Sequence, residues 1–205
     1  MLDSAIRKKI DRPLNHLAKI FVDKGISANQ ITVVGFGLGL LTIPLLAFHY
    51  YLSALLLIIL NRFFDGIDGA VARQTKVTHV GAYLDIVLDF IFYSGVVMGF
   101  ALAQPENAIY GALLIFSFIG TGSSFLAFAI FAEKLTLSTT EQGIKSFYYL
   151  EGLAEGTETI ICLSLMCLYP EYFWVFASGF SIICFLATTL RIVRSIKLLA
   201  STRYT

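Results

Sequence analysis

The stretch YLSALLLIILNRFFDGIDGAVAR, Tyr51 to Arg73, begins as bilayer-grade sequence and ends as an acidic cluster. Its first ten residues are almost wholly apolar. Asp65 and Asp68 then follow within the same helical stretch. The next block repeats the arrangement in reverse order, with Asp85 and Asp89 close behind Gly81 and an apolar run beyond them. Ionisable groups at membrane depth are costly and imply a function. Four groups of one sign cannot neutralise one another, so the cluster demands cations.

Outward from this stretch the chain is apolar throughout. Of 205 residues, 57% are hydrophobic and 14% are charged, and mean hydropathy is +0.78. A soluble all-helical protein is excluded, because too little polar sequence remains to make a surface. The apolar residues fall into six blocks: 31–48, 51–73, 81–102, 107–132, 152–169 and 172–194. Each is long enough to cross about 30 Å of hydrocarbon. The expected fold is therefore an all-α integral membrane bundle of six transmembrane helices, forming a single domain over residues 1–205.

Residues 1–26 read as a helix lying in the membrane interface rather than as a cleavable signal. Ile6, Ile10, Leu14, Leu17 and Phe21 recur at helical spacing among basic residues. A basic tail without structure is the competing reading, and Pro13 is expected to break or kink such a helix. With the N-terminus on the cytoplasmic side, all 15 lysines and arginines fall in cytoplasmic segments or the span ends beside them. That asymmetry sets the orientation and puts both termini and the acidic cluster on the cytoplasmic side of an inner membrane. Cys162, Cys167 and Cys184 lie within spans and read as small apolar residues. No nucleic-acid motif is present.

Asp65 and Asp68 share a helical face at i, i+3, and Asp85 and Asp89 share one at i, i+4. The connector 74–80 is short, so the two helices are antiparallel neighbours whose acidic faces can meet. Facing carboxylates repel or take up protons unless metal lies between them. Hard oxygen ligands suit Mg²⁺ or Mn²⁺, and two such ions could bridge and polarise a pyrophosphate. Gly69 and Gly81 permit close approach, Arg73 is placed for a phosphate, and Asn61, one turn before Asp65, is placed to hydrogen-bond it.

These residues resemble the CDP-alcohol phosphotransferase (phosphatidyltransferase) family. Its motif is D-x-x-D-G-x-x-A-R, a spacer of seven or eight, then G-x-x-x-D-x-x-x-D. Asp65, Asp68, Gly69, Ala72, Arg73, Gly81, Asp85 and Asp89 fill every fixed position. The resemblance implies that Asp65, Asp68 and Asp85 bind two divalent metal ions, and that Asp89 is the general base and borders a metal. It implies that Gly69, Ala72, Arg73 and Gly81 line a CDP site. A Pro-Asn-x-x-Thr-like element is matched at Asn29 and Thr32, with Ala28 in place of proline. Ser27 or Asn29 also fits a plain helix N-cap. Thr78 is a further CDP candidate.

The implied reaction is transfer of a substituted phosphoryl group from a CDP-linked lipid, such as CDP-diacylglycerol, to an alcohol, with release of CMP. The membrane lipids and a small alcohol are the implied partners, and a homodimer is the implied assembly. An aminoalcohol phosphotransferase acting on a lipid alcohol is the alternative within the family. A cation transporter is the alternative outside it, disfavoured because residues 54–60 offer no polar group at the midplane. Lys145, Glu155 and Arg191 are the acceptor-side candidates. Arg62 and Lys76 are further cations near the aspartates. Glu151, Glu155 and Glu158 form one acidic face that could instead pair internally with Arg191, and Arg191 could also be an interfacial anchor.

Overall fold

A computed structural model describes residues 2–134 and 155–201, with side chains from Pro13 onward up to Ala200. Every regular element among them is helical. The order is α1 (Leu2–Asp23), α2 (Ala28–Leu40), α3 (Thr42–Ala47), α4 (Tyr51–Gln74), α5 (His79–Ala103), α6 (Ala108–Lys134), α7 (Gly156–Leu168) and α8 (Phe173–Ser201). Short 3-10 turns at Pro105–Asn107 and Pro170–Tyr172 lead into α6 and α8.

Local chemistry sets the helix starts. Ser27 caps α2 through a capping box: the Gln30 backbone N–H donates to Ser27 Oγ (3.4 Å), and the Ser27 N–H donates to Gln30 Oε1 (2.9 Å). The Thr78 hydroxyl caps α5 by accepting from the Gly81 N–H at 3.0 Å. Glu155 caps α7 in a second capping box with Glu158. The first apolar block is one span in sequence but two helices in space. α2 ends at Leu40, whose carbonyl the ring of Pro44 would otherwise crowd.

Four stretches are long and apolar enough to cross a membrane: Ala28–Ala47, His79–Ala103, Pro105–Lys134 and Pro170–Ala200. The other two expected spans fall short for different reasons. α4 has the length, but Arg62, Asp65, Asp68 and Arg73 load its second half with charge. α7 is apolar but has 13 residues, about 20 Å of helix.

Of the two outcomes expected at Pro13, a break does not occur, because α1 continues through it. Pro13 is exposed and needs no room in the seam where α1 meets α4. In that seam Leu14 and Ala18 are buried with Ile67, Ala70 and Val71 of α4 and Ile31 of α2. The Gln74 side chain ties the seam by donating to the Asn15 carbonyl at 2.9 Å. The larger core lies between α3 to α8 around Phe92, Phe100, Leu163, Met166 and Phe173. Phe100 stacks on Phe173 (5.2 Å between centroids) and on Tyr51 (5.8 Å). Water does not drive helix association inside a bilayer, so close packing and small residues must. Gly39 of α2 is such a residue, facing Phe92 and Asn61 with no space for a side chain.

Candidate active site

α4 and α5 run antiparallel from a short connector, and each carries its carboxylates near that connector. The two acidic faces meet. Asp65, Asp68 and Asp85 each bring a carboxylate oxygen within 4.8 Å of the others. Asp68 is buried, Asp65 half-buried and Asp85 exposed, so the trio runs from the protein interior to an open face. Three hard anionic donors this close fit a divalent ion such as Mg²⁺ or Mn²⁺. Thr32 of α2 orients the innermost member, donating to Asp68 Oδ2 at 2.5 Å, with the Ala28 carbonyl 3.0 Å from the same hydroxyl.

Asp89, one turn deeper than Asp85, has different partners. Both its oxygens accept from the Arg62 guanidinium, and Oδ2 also accepts from the Tyr93 hydroxyl at 2.8 Å. Arg62 Nη1 lies 3.6 Å from Asp65 as well. Asn61 does not serve Asp65 as expected. Its Oδ1 accepts from Arg62 Nε (3.0 Å) and Nη2 (2.8 Å), and its amide donates to the Gly35 carbonyl of α2 at 3.0 Å. The reason is orientation: Asn61 points into the α2–α4 seam, where it is buried, while Asp65 faces α5.

The expected nucleotide-side residues come from three helices. Asn29 and Thr78 converge on Gly81, where a Cβ would lie 3.1 Å from Asn29 Oδ1 and 3.2 Å from Thr78 Oγ1. Thr78 is also the α5 cap, so one hydroxyl serves the helix terminus beside this cradle. The Arg73 side chain folds back over Gly69, 3.4 Å from where a Cβ would sit. Ala72 lies beside it, half-buried.

A small recess holds Thr32, Asp65, Asp68, Asp85, Asp89 and Arg62. A cleft of about 810 Å³ opens next to it. Asp65, Gly69, Arg73, Asp85 and Asp89 line one wall of the cleft, and Thr121, Glu155, Thr159 and Arg191 line the other. Two acceptor-side candidates, Glu155 and Arg191, therefore line the same cleft as Asp65, Asp85 and Asp89. Lys145 and Glu151 lie outside the described residues. Arg191 is buried rather than anchored at an interface: it donates to the Thr121 carbonyl (2.8 Å) and Ser124 Oγ (3.3 Å) and sits over the Phe125 ring. Lys76 is exposed on the connector and lines neither cavity.

Sequence reasoning missed Tyr93 and the pairing of Arg62 with Asp89. Tyr93 stands one helical turn after Asp89, and that i, i+4 spacing was the available signal.

Comparisons with known proteins show the family. The profile of the CDP-alcohol phosphatidyltransferase family matches residues 26–193. The chain is 50% identical over 194 residues to the inner membrane protein YnjF of Escherichia coli K12, covering 94% of each. It is 36% identical over 104 residues to archaetidylinositol phosphate synthase of Pyrococcus horikoshii, covering 48% of this chain and 53% of that one. It is 28% identical over 128 residues to phosphatidylcholine synthase of Brucella melitensis, covering 60% of this chain and 42% of that one. With the acidic motif complete and its four aspartates lining one recess, the chain belongs to the CDP-alcohol phosphatidyltransferase family, whose members are transferases of substituted phosphate groups.

Proposed function

We propose that this protein transfers a substituted phosphoryl group from a CDP-linked lipid to an alcohol and releases CMP. The observation that carries the proposal is the gathering of Asp89 and the three clustered carboxylates in one recess, with Asp65, Asp85 and Asp89 also lining the large cleft beside it. Asp65, Asp68 and Asp85 would hold two divalent ions, Mg²⁺ or Mn²⁺, with Asp89 at their border. When bound, these neutralise and polarise the donor's pyrophosphate.

The chain's own residues do the rest. Gly69, Ala72 and Arg73 take one side of the CDP group, and Asn29, Thr32, Thr78 and Gly81 take the other. Asp89 accepts the proton of the acceptor hydroxyl. The hydroxyl oxygen bonds to the β-phosphorus, the bond from that phosphorus to the bridging oxygen breaks, and CMP departs with the electron pair. Positioning and fixed charge supply most of the rate.

Glu155, Arg191 and the threonines of the far wall receive the acceptor. This surface carries hydroxyls and charges of both signs, which suits a hydroxyl-rich or charged small alcohol. A phosphatidylcholine synthase among the relatives supports an amine-bearing alcohol, and an archaetidylinositol phosphate synthase supports a phosphorylated polyol. In our reading the bundle has six spans and an interfacial α1 in an inner membrane, with the cleft toward the cytoplasm. The four apolar stretches and the inner-membrane relative support an integral protein of an inner membrane. The homodimer implied by the resemblance belongs to the same reading.

The test is the purified protein in detergent with CDP-diacylglycerol, Mn²⁺ or Mg²⁺, and a panel of alcohols that includes inositol, inositol phosphate, glycerol phosphate, serine and choline. Alcohol-dependent CMP release is the expected result and identifies the acceptor. No release with any alcohol and either metal overturns the proposal.

A further inference from the structure

We infer that Arg62 and Tyr93 are positioning residues that fix the carboxylate plane of Asp89 and leave Oδ1 as the oxygen that takes the acceptor's proton. The inference rests on the reading of Asp89 as the general base.

The donor inventory of Arg62 closes. A guanidinium has five N–H donors in a rigid fork. Arg62 makes five hydrogen bonds: two to Asn61 Oδ1, one to each oxygen of Asp89, and one to the Tyr93 hydroxyl at 3.0 Å. Asn61 is itself anchored to the Gly35 carbonyl. The Arg62 cation lies 5.4 Å from the ring centroids of both Phe92 and Tyr93. The group is thus held by hydrogen bonds along its edge, with two buried aromatic rings beside it.

Asp89 is the recipient of that order. A fork meeting both oxygens of a carboxylate sets its plane as well as its position. A carboxylate offers about four lone-pair sites, two on each oxygen. Oδ2 accepts from Arg62 and from Tyr93, and Oδ1 accepts from Arg62 alone among the described residues. The remaining site on Oδ1 is the one available to a hydroxyl from the cleft that Asp89 lines. Tyr93 also reaches the far wall, with its hydroxyl 3.4 Å from where a Cβ on Gly156 would sit. One hydrogen-bond network therefore spans α2, α4 and α5, and its Tyr93 hydroxyl packs against the start of α7. A plain structural ion pair needs neither a saturated fork nor a bridging hydroxyl on the same oxygen.

Lysine keeps the charge of Arg62 but brings three donors on one point and no fork. The test measures CMP release from CDP-diacylglycerol with the best alcohol of the panel, for the native protein and for Arg62→Lys, Tyr93→Phe and the double variant. Arg62→Lys is expected to lower kcat about 10²-fold with the KM for CDP-diacylglycerol within about twofold, the scale of loss for a reacting group misplaced by ~1 Å. Tyr93→Phe removes one hydroxyl and is expected to lower kcat less. The double variant is expected to lose less than the product of the two single losses, because both act on one carboxylate.

Mn²⁺-induced thermal stabilisation, read without turnover, is expected to be the same in Arg62→Lys as in the native protein. Native kcat in Arg62→Lys, multiplicative losses in the double variant, or loss of the Mn²⁺-induced stabilisation each overturns the inference alone. Absence of CMP release from the native protein overturns the transferase reading and this inference with it.

Discussion

Replacing Gly39 with alanine tests how α2 holds the catalytic helices. A Cβ there would lie 2.8 Å from Phe92 Cδ2, 2.9 Å from Asn61 Nδ2 and 3.0 Å from Phe92 Cε2. Ordinary contact between such atoms is about 3.5–4.0 Å, so each neighbour must retreat by roughly half an ångström or more. Neither is free to do so. Phe92 is 1% exposed, and Asn61 is held between the Gly35 carbonyl and Arg62. Overpacking of this kind costs about 1–3 kcal/mol.

Alanine also gains up to ~1 kcal/mol over glycine in a helix, so the cost needs a reference. Gly37→Ala supplies it. Gly37 lies on the same helix, and a Cβ there meets nothing within 4 Å. The difference between the two variants isolates the clash. For a chain of this size about 2–4 °C of unfolding temperature corresponds to each kcal/mol, so Gly39→Ala should unfold about 2–12 °C below Gly37→Ala. Reaction of a thiol-specific dye with the buried Cys162, Cys167 and Cys184 reports unfolding in detergent. Gly39→Ala should also lose turnover, because a displaced Asn61 moves Arg62 and, through it, Asp89. Equal unfolding temperatures for the two variants would refute the packing argument.

Three further outcomes are expected. Asp89→Asn should lower CMP release by about 10²–10⁴, the usual worth of a general base, while CDP-lipid binding stays measurable by equilibrium titration; near-native turnover would remove Asp89 from that role. Asp68→Asn should raise the Mn²⁺ concentration needed for half-maximal activity, and a chelator should abolish native activity; chelator-resistant turnover would sink the metal requirement. Leu14→Ala should empty the contact over Gly66, where Leu14 Cδ1 lies 3.0 Å from a would-be Cβ. Hydrogen exchange along residues 13–23 should then rise, and unchanged protection would show that α1 is held by other contacts.

The parts legible in sequence are those whose physics is local. An apolar block spells a spanning helix wherever it lies, so the stretches 28–47, 79–103, 105–134 and 170–200 were readable. Spacings of three and four place carboxylates on one helical face, so the meeting of Asp65, Asp68 and Asp85 was readable from the short connector. Proline disfavours a helix interior in general, but Pro13 does not break α1, because here it lies on the exposed side of the helix. Asn61 misled because its spacing to Asp65 says nothing of the α2 carbonyl that draws it away. Arg62 was visible as a nearby cation, but its partner lies 27 residues away on another helix.

Taken alone, then, the sequence determined the helical membrane class, the family motif and the pairing of the four aspartates on two helical faces, because these follow from hydropathy and helical period. Tertiary structure decided how the four are divided. Three share one small volume where their charge calls for metal, and the fourth faces a guanidinium clamped by Asn61, Phe92 and Tyr93. That division depends on side-chain orientations across three packed helices, and no spacing along one helix encodes them.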